Sequence, residues 1–181
     1  MSFHQKLLNI PKIEDCLPGR QTPISVSGIH ALNGNKINPP FPEEMGSLVV
    51  GMGCFWGAER VFWQLDGVWV TAVGYSGGHT PNPTYEEVCS GLTGHAEVVL
   101  VVFEKEKIDL EGLLKVFWES HDPTQEMRQG NDIGTQYRSG IWVADQDQLV
   151  KTEESLKAYE EALLVSGFQK IKTTVEIQKN F

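Results

Sequence analysis

A chain of 181 residues, 40% hydrophobic and 22% charged, is long enough to bury one core and too short for two comfortable ones. Its formal net charge of -9 argues against nucleic acid and against an anionic membrane surface as general partners. No apolar run approaches the length that spans a bilayer, and residues 1–20 lack both a secretory apolar region and the Arg-rich, acid-poor character of a transit peptide, so a cytoplasmic location is expected.

Residues 1–46 hold Leu17-Pro18-Gly19-Arg20 and Asn38-Pro39-Pro40-Phe41-Pro42 with little sustained periodicity, which predicts an irregular arm packed on a domain over 47–181. Residues 48–52 read as a buried strand. Ala58, Val61, Phe62 and Leu65 then recur at helical spacing, and Asp66-Gly67 closes that helix. A second strand is predicted over 69–75, followed by a loop over 76–85 rich in Gly, Pro and Asn. Residues 96–103 are apolar at nearly every position, which suits a central strand covered on both faces. Leu110, Leu113, Leu114, Phe117 and Trp118 mark another amphipathic helix, with Asp109 as its N-cap. A strand over 140–144 leads into Asp145 and Gln148, a capping-box pattern that opens a helix ending near Gly167. Ile171, Thr173, Val175 and Ile177 alternate as a last strand. The order β-α-β-β-α-β with additions predicts an α+β fold, a ferredoxin-like two-layer sandwich with helices on one side of a mixed sheet.

Chemistry concentrates at Gly51-Met52-Gly53-Cys54-Phe55-Trp56-Gly57, a strand-to-helix junction. A thiol there faces the amide groups and positive dipole end of a helix, so Cys54 reads as a nucleophile; the alternative is a small buried hydrophobe. Phe55 and Trp56 are consecutive and cannot share one helix face, so one of them should project outward, where it can wall a small apolar group. Both can equally be core aromatics. Glu97 heads the most apolar strand. Buried, it stays protonated and can donate a proton; at an exposed strand end it simply meets water. Tyr85 and Tyr137 lie in turn-rich segments where a phenol can reach a ligand oxygen or merely pack, and Asp132 can orient such a group or cap a turn. His95 and His121 are candidate partners for a Cys/His pair but read more simply as structural. Cys16, Cys54 and Cys89 leave an odd thiol under any disulfide scheme and lack zinc-site spacing, which suits a reducing compartment; Cys89, beside Val88, reads as core.

Taken in order, Gly53-Cys54-Phe55-Trp56-Gly57, Asn82-Pro83-Thr84-Tyr85, Thr93-Gly94-His95-Ala96-Glu97, His121-Asp122-Pro123-Thr124 and the run from Gly130 to Ser139 resemble the peptide methionine sulfoxide reductase A family, from about Leu17 onward. The resemblance implies Cys54 as nucleophile, Glu97 as proton donor, a methyl-binding pocket from Phe55 and Trp56, and Tyr85, Tyr137 and Asp132 around the sulfoxide oxygen. It implies a catalytic domain over 47–181, no metal and no organic cofactor. It also implies oxidised proteins, peptides and free methionine sulfoxide as substrates, with thioredoxin as electron donor to a monomer. The sequence departs from the family after Lys179-Asn180-Phe181, where relatives continue into a segment near the active site and a tail that often carries recycling cysteines. A sulfoxide-binding variant without efficient turnover is therefore the second reading. Glu126 and Ile133, where many relatives have Gly and His, bear on loop shape.

Overall fold

The computed structural model describes residues 8–178 and 181; the first part of the stretch read above for a leader, and Lys179-Asn180, lie outside the described residues. Among the described residues seven strands and four α-helices follow in chain order: β1 (Met45–Met52), α1 (Phe55–Trp63), β2 (Val68–Ser76), α2 (Tyr85–Cys89), β3 (Ala96–Glu104), α3 (Leu110–Glu119), β4 (Arg128–Gln129), β5 (Asp132–Ile133), β6 (Ser139–Val143), α4 (Gln146–Val165) and β7 (Thr174–Ile177). Five strands form one sheet in the order β2-β3-β1-β6-β7. β1 runs antiparallel to β3 and β6, β2 is antiparallel to β3, and β7 is parallel to β6. The unit β1-α1-β2-β3-α3-β6 therefore has the ferredoxin-like strand order, to which α4 and β7 add a parallel edge. β4 and β5 form a separate hairpin.

The run in β3 is apolar throughout because both of its faces are covered. Val99, Val101 and Phe103 join Leu48, Val50, Phe62, Leu113, Leu114 and Phe117 under the helices. Val98, Leu100 and Val102 join Val49, Val70 and Trp142 on the opposite face, where Ile37 and Phe41 of the arm pack. Each fully buried Leu, Val or Phe contributes about 1.5–3 kcal/mol relative to exposure, so both layers are needed. The arm is irregular beyond a 3-10 turn at Ile13–Asp15 and an isolated bridge between Ile29 and Lys36. It is pinned by the Asn33 and Asn35 side chains, which donate to the Trp69 carbonyl at 2.9 and 2.7 Å.

Helix ends follow the side chains that satisfy them. Asp109 Oδ1 accepts from Gly112 N at 2.8 Å and starts α3. Asp145 Oδ1 accepts from Gln148 N at 2.9 Å, while Gln148 Oε1 turns back to the Ala144 amide rather than to that of Asp145. α4 stops where Gly167 takes φ +84°, a conformation open to glycine. The last strand is shorter than its alternation predicts. Among the described residues no helix is long and apolar enough to cross a membrane.

Candidate active site

β1 delivers the chain to Gly53, whose φ of +89° and 2.6 Å approach of an added Cβ to Gln129 Cβ exclude any larger residue. Cys54 follows as the N-cap of α1 and is exposed. Its thiol makes no capping hydrogen bond. The first amide of the helix, Phe55 N–H, donates instead to Glu97 Oε2 at 3.1 Å, a carboxyl being the better acceptor. The expectation of a thiol aimed into the helix amides is corrected to a thiol beside an amide that a carboxyl has taken.

Glu97 is 2% exposed, which rules out a strand end meeting water. It lies opposite Tyr75 in the β2–β3 register and on the helix side of the sheet, alternating with the residues that face the arm. Burial pushes its carboxyl above the ordinary range; the Phe55 amide pulls down and the nearby Asp132 carboxylate pushes up. With Oε2 accepting from Phe55, Oε1 is the oxygen on which a proton would sit. Of the aromatic pair, Phe55 is 8% exposed with its ring 5.9 Å from that of Tyr75, whereas Trp56 is 77% exposed.

Tyr85 is the first residue of α2 and is 54% exposed. Its hydroxyl is held above the ordinary range by a hydrogen bond to the Cys89 side chain, by the fields of Cys89 and Glu97, by burial and by Cys54. Tyr137, at the end of a 3-10 turn over Thr135–Tyr137, is pushed up to about 12 by burial, then by Glu97, Asp132, Cys89 and Tyr85. Both phenols keep their protons at neutral pH and are donors. Asp132 opens β5 in the small hairpin. The fold thus gathers Glu97, Tyr85, Tyr137 and Asp132 around the start of α1, with Trp56 standing outward beside them. Cys89 is exposed, which corrects its reading as core: four residues after Tyr85, it shares that outer helix face, while Val88 points inward at 1% exposure.

Cys54 and Asp132 also border a cavity of about 310 Å³, lined in addition by Met52, Gly57, Ala58, Val61, Ser120, His121 and Gln129. Of the seven site residues predicted from sequence, Cys54 and Asp132 reach it. His121 is no free base. Its Nδ1 sits 2.7 Å from the Phe117 carbonyl, which can only accept, so Nδ1 carries the proton and Nε2 accepts from Ser139 Oγ at 2.7 Å. Ser139 Oγ in turn accepts from Thr173 Oγ1 at 2.7 Å. Burial pushes His121 down to about 4, so it stays neutral. His95 Nε2 is engaged with the Thr80 carbonyl at 2.8 Å. Among the described residues no group of His, Cys, Asp and Glu is arranged to hold a metal ion.

Three features escape the sequence reading. Tyr75 is one, a strand-end aromatic whose register opposite Glu97 brings it against Phe55. α2 is another, although Thr84-Tyr85-Glu86-Glu87 is a capping-box pattern and forms one in full. The third is the β4–β5 hairpin, signalled by Gly130-Asn131 between its two-residue strands. Glu126, which pairs with Lys172 at 3.4 Å, and Ile133, opposite Arg128 in the hairpin, both belong to this loop region.

Comparison with known proteins places these features in a family. Residues 46–181 match the family model described as peptide methionine sulfoxide reductase. The chain is 56% identical over 176 residues to a protein of Methylobacterium nodulans named peptide methionine sulfoxide reductase MsrA, covering 97% of this chain and 80% of that one. Among solved structures, methionine sulfoxide reductase A of Corynebacterium diphtheriae superposes with a TM-score of 0.88 at 38% identity, covering 93% of this chain and 80% of that one. Reduced Mxr1 from Saccharomyces cerevisiae gives a TM-score of 0.72 at 32% identity, covering 78% of this chain and 80% of that one.

Proposed function

The chain belongs to the peptide methionine sulfoxide reductase family, and we propose that it reduces the S epimer of methionine sulfoxide, free or in peptides and oxidised proteins, to methionine. The observation that carries the reading is the pairing at the start of α1: an exposed thiol at Cys54, and next to it an amide tied to a buried Glu97 whose carboxyl is pushed above its ordinary range. A sulfoxide sulfur is a poor electrophile until its oxygen is protonated or strongly hydrogen-bonded. Cys54 attacks that sulfur as thiolate while Glu97 gives its Oε1 proton to the oxygen, with Tyr85 and Tyr137 as further donors and Asp132 orienting them. The new bond between the two sulfurs and the S–O bond of the substrate then break as the hydroxyl passes to Cys54 and methionine leaves. The methionine sulfur gains two electrons, and the cysteine sulfur, now a sulfenic acid, loses two. Trp56, with Phe55 behind it, walls the substrate methyl group.

Return of Cys54 to its thiol consumes two further thiols. The first attacks the sulfenic acid to form a disulfide and release water, and the second breaks that disulfide; a dithiol reductant of the thioredoxin class suits both steps. The catalytic domain in this reading spans 47–181, with 1–46 as its arm. Relatives that carry the reductase name over nearly the whole chain favour a working enzyme over a variant that only binds sulfoxide.

The test is chiral separation of residual substrate after incubation with dithiothreitol. Loss of the S epimer alone, abolished in Cys54→Ser, supports the reading. Equal loss of both epimers, or undiminished activity in Cys54→Ser, would sink it.

A further inference from the structure

Two residues of the arm, Leu17 and Arg20, grip the segment that carries Tyr85. Leu17 N donates to the Leu92 carbonyl at 2.9 Å, and the Leu17 carbonyl accepts from Thr80 Oγ1 at 2.8 Å. Arg20 N donates to the Pro81 carbonyl at 3.0 Å, and the Arg20 carbonyl accepts from Asn82 Nδ2 at 2.8 Å. The guanidinium then reaches both ends of the helix start. Its Nη1 donates to the Asn82 carbonyl just before α2, and its Nη2 donates to Glu87 Oε1 inside α2 at 2.8 Å. The other oxygen of Glu87 accepts from Thr84 N at 2.8 Å, while Thr84 Oγ1 accepts from Glu87 N at 3.3 Å.

Its capping box is the one local device among these bonds, and it does not by itself fix where a helix of five residues sits on the domain. A single turn is unfavourable on its own, because nucleation fixes several dihedral angles for one hydrogen bond. Asn82 adds a strained entry, with φ +47° outside glycine. Glu87 is held below the usual carboxylate range by Arg20 and then by the Thr84 amide, so the pair is charged at neutral pH. A planar guanidinium can bridge a carbonyl and a carboxylate at once, which the point charge of a lysine does poorly.

We propose that Arg20 is a positioning residue for Tyr85: by bridging the Asn82 carbonyl and the Glu87 carboxylate it sets the tilt of α2 and so the place of the Tyr85 hydroxyl beside Cys54 and Glu97. The inference rests on the reading of Tyr85 as a donor to the sulfoxide oxygen. Arg20 touches no substrate in this role and acts through α2. It gives the arm a part in the reaction although the arm carries no reacting group.

A double-mutant cycle decides it, with kcat and KM measured for a methionine-S-sulfoxide peptide under dithiothreitol and melting temperature recorded for each variant. Tyr85→Phe should lower kcat/KM roughly 10- to 100-fold, the loss of one hydrogen bond to a developing charge. Arg20→Ala should lower it by a similar factor, Arg20→Lys by less, and the double variant should be no worse than Tyr85→Phe within about 2-fold, the signature of two residues acting through one contact. Glu87→Gln, which removes only the charge of the partner, repeats the cycle if Arg20→Ala fails to fold. A silent Arg20→Ala, or losses that multiply in the double variant, would overturn the positioning role while leaving Tyr85 in the site. A silent Tyr85→Phe would overturn the reading of Tyr85 itself and the inference with it.

Discussion

Glu97 bonds the amide next to Cys54 and His121 lines the cavity beside it, and both are shifted toward the uncharged form, yet they differ in what they have left to offer a substrate. Burial moves the carboxyl up and the imidazole down, in each case toward the uncharged form. The difference is spare hydrogen-bonding capacity. Among the described residues, Glu97 has one oxygen tied to the Phe55 amide and the other uncommitted, while both ring nitrogens of His121 are used, one by Phe117 and one by Ser139. The ring of His121 is also held 4.4 Å from that of Phe117. A shifted titration marks burial; a site needs a shifted group with a free valence facing the substrate.

The largest expected effect separates the two residues by rate. Glu97→Gln should slow methionine release in a single turnover by roughly 10²- to 10⁴-fold, the range for losing a positioned acid. Its melting temperature should hold, since the amide has the size of the protonated carboxyl and keeps an oxygen for the Phe55 amide. An unchanged rate with unchanged stability would leave Glu97 as a structural carboxyl and erase the contrast.

His121→Phe should do the reverse. It keeps the ring against Phe117 but removes both imidazole hydrogen bonds, leaving the Phe117 carbonyl with Ser120 N and the Ser139 hydroxyl with Thr173, which costs roughly 0.5–1.5 kcal/mol per lost bond. Denaturant titration should register that loss, with a single-turnover rate within a few-fold of the parent at a temperature where the variant is folded. A rate loss as large as that of Glu97→Gln would make His121 a participant after all.

Stability against pH sharpens the same point. The imidazole binds its proton at 6.5 in the unfolded chain and at about 4 in the fold, so its contribution is complete above 6.5 and is lost as pH falls from there toward 4. That gap corresponds to about 3 kcal/mol. Unfolding free energies measured between pH 7 and 4 should fall by that order in the parent, and His121→Phe should flatten the curve. A curve of the same shape in both would assign the acid sensitivity to other groups.

The smallest effect concerns the cysteines near this site and in the arm. Cys54 and Cys89 are exposed, whereas Cys16 is half-buried, donates to the Lys12 carbonyl at 3.3 Å, and is pushed up by burial and by Asp15 and Glu14. Timed alkylation with peptide mapping should label Cys54 and Cys89 before Cys16. Labelling of Cys16 first would contradict the exposed placement of Cys89 on α2.

Much of this architecture is legible in the chain because its strongest signals are burial signals. The run in β3 announces a strand covered on both faces, and the spacing of Leu110, Leu113, Leu114 and Phe117 announces α3. The junction at Cys54 and the placement of Glu97 at the head of an apolar strand are legible for the same reason. What escapes is whatever depends on register or on contacts distant in sequence. Tyr75 meets Glu97 only once β2 and β3 are paired, and Arg20 meets Glu87 only once the arm is laid down. α2 escapes because a single turn is too short for periodicity to show, and its capping box lies within a stretch dominated by Gly, Pro and Asn. Cys89 is misread because its neighbour Val88 is apolar, whereas helical geometry turns the two residues to different faces.

The single-turnover rate of methionine release, followed across pH in the parent and in Glu97→Gln, tests the central claim most directly. If Glu97 is the proton donor, the parent rate falls as pH rises through the raised pKa of that carboxyl. In Glu97→Gln this limb disappears and the rate is lower wherever the parent carboxyl is protonated. The same falling limb in both proteins, or a Gln variant as fast as the parent, would place the proton source elsewhere and contradict the account.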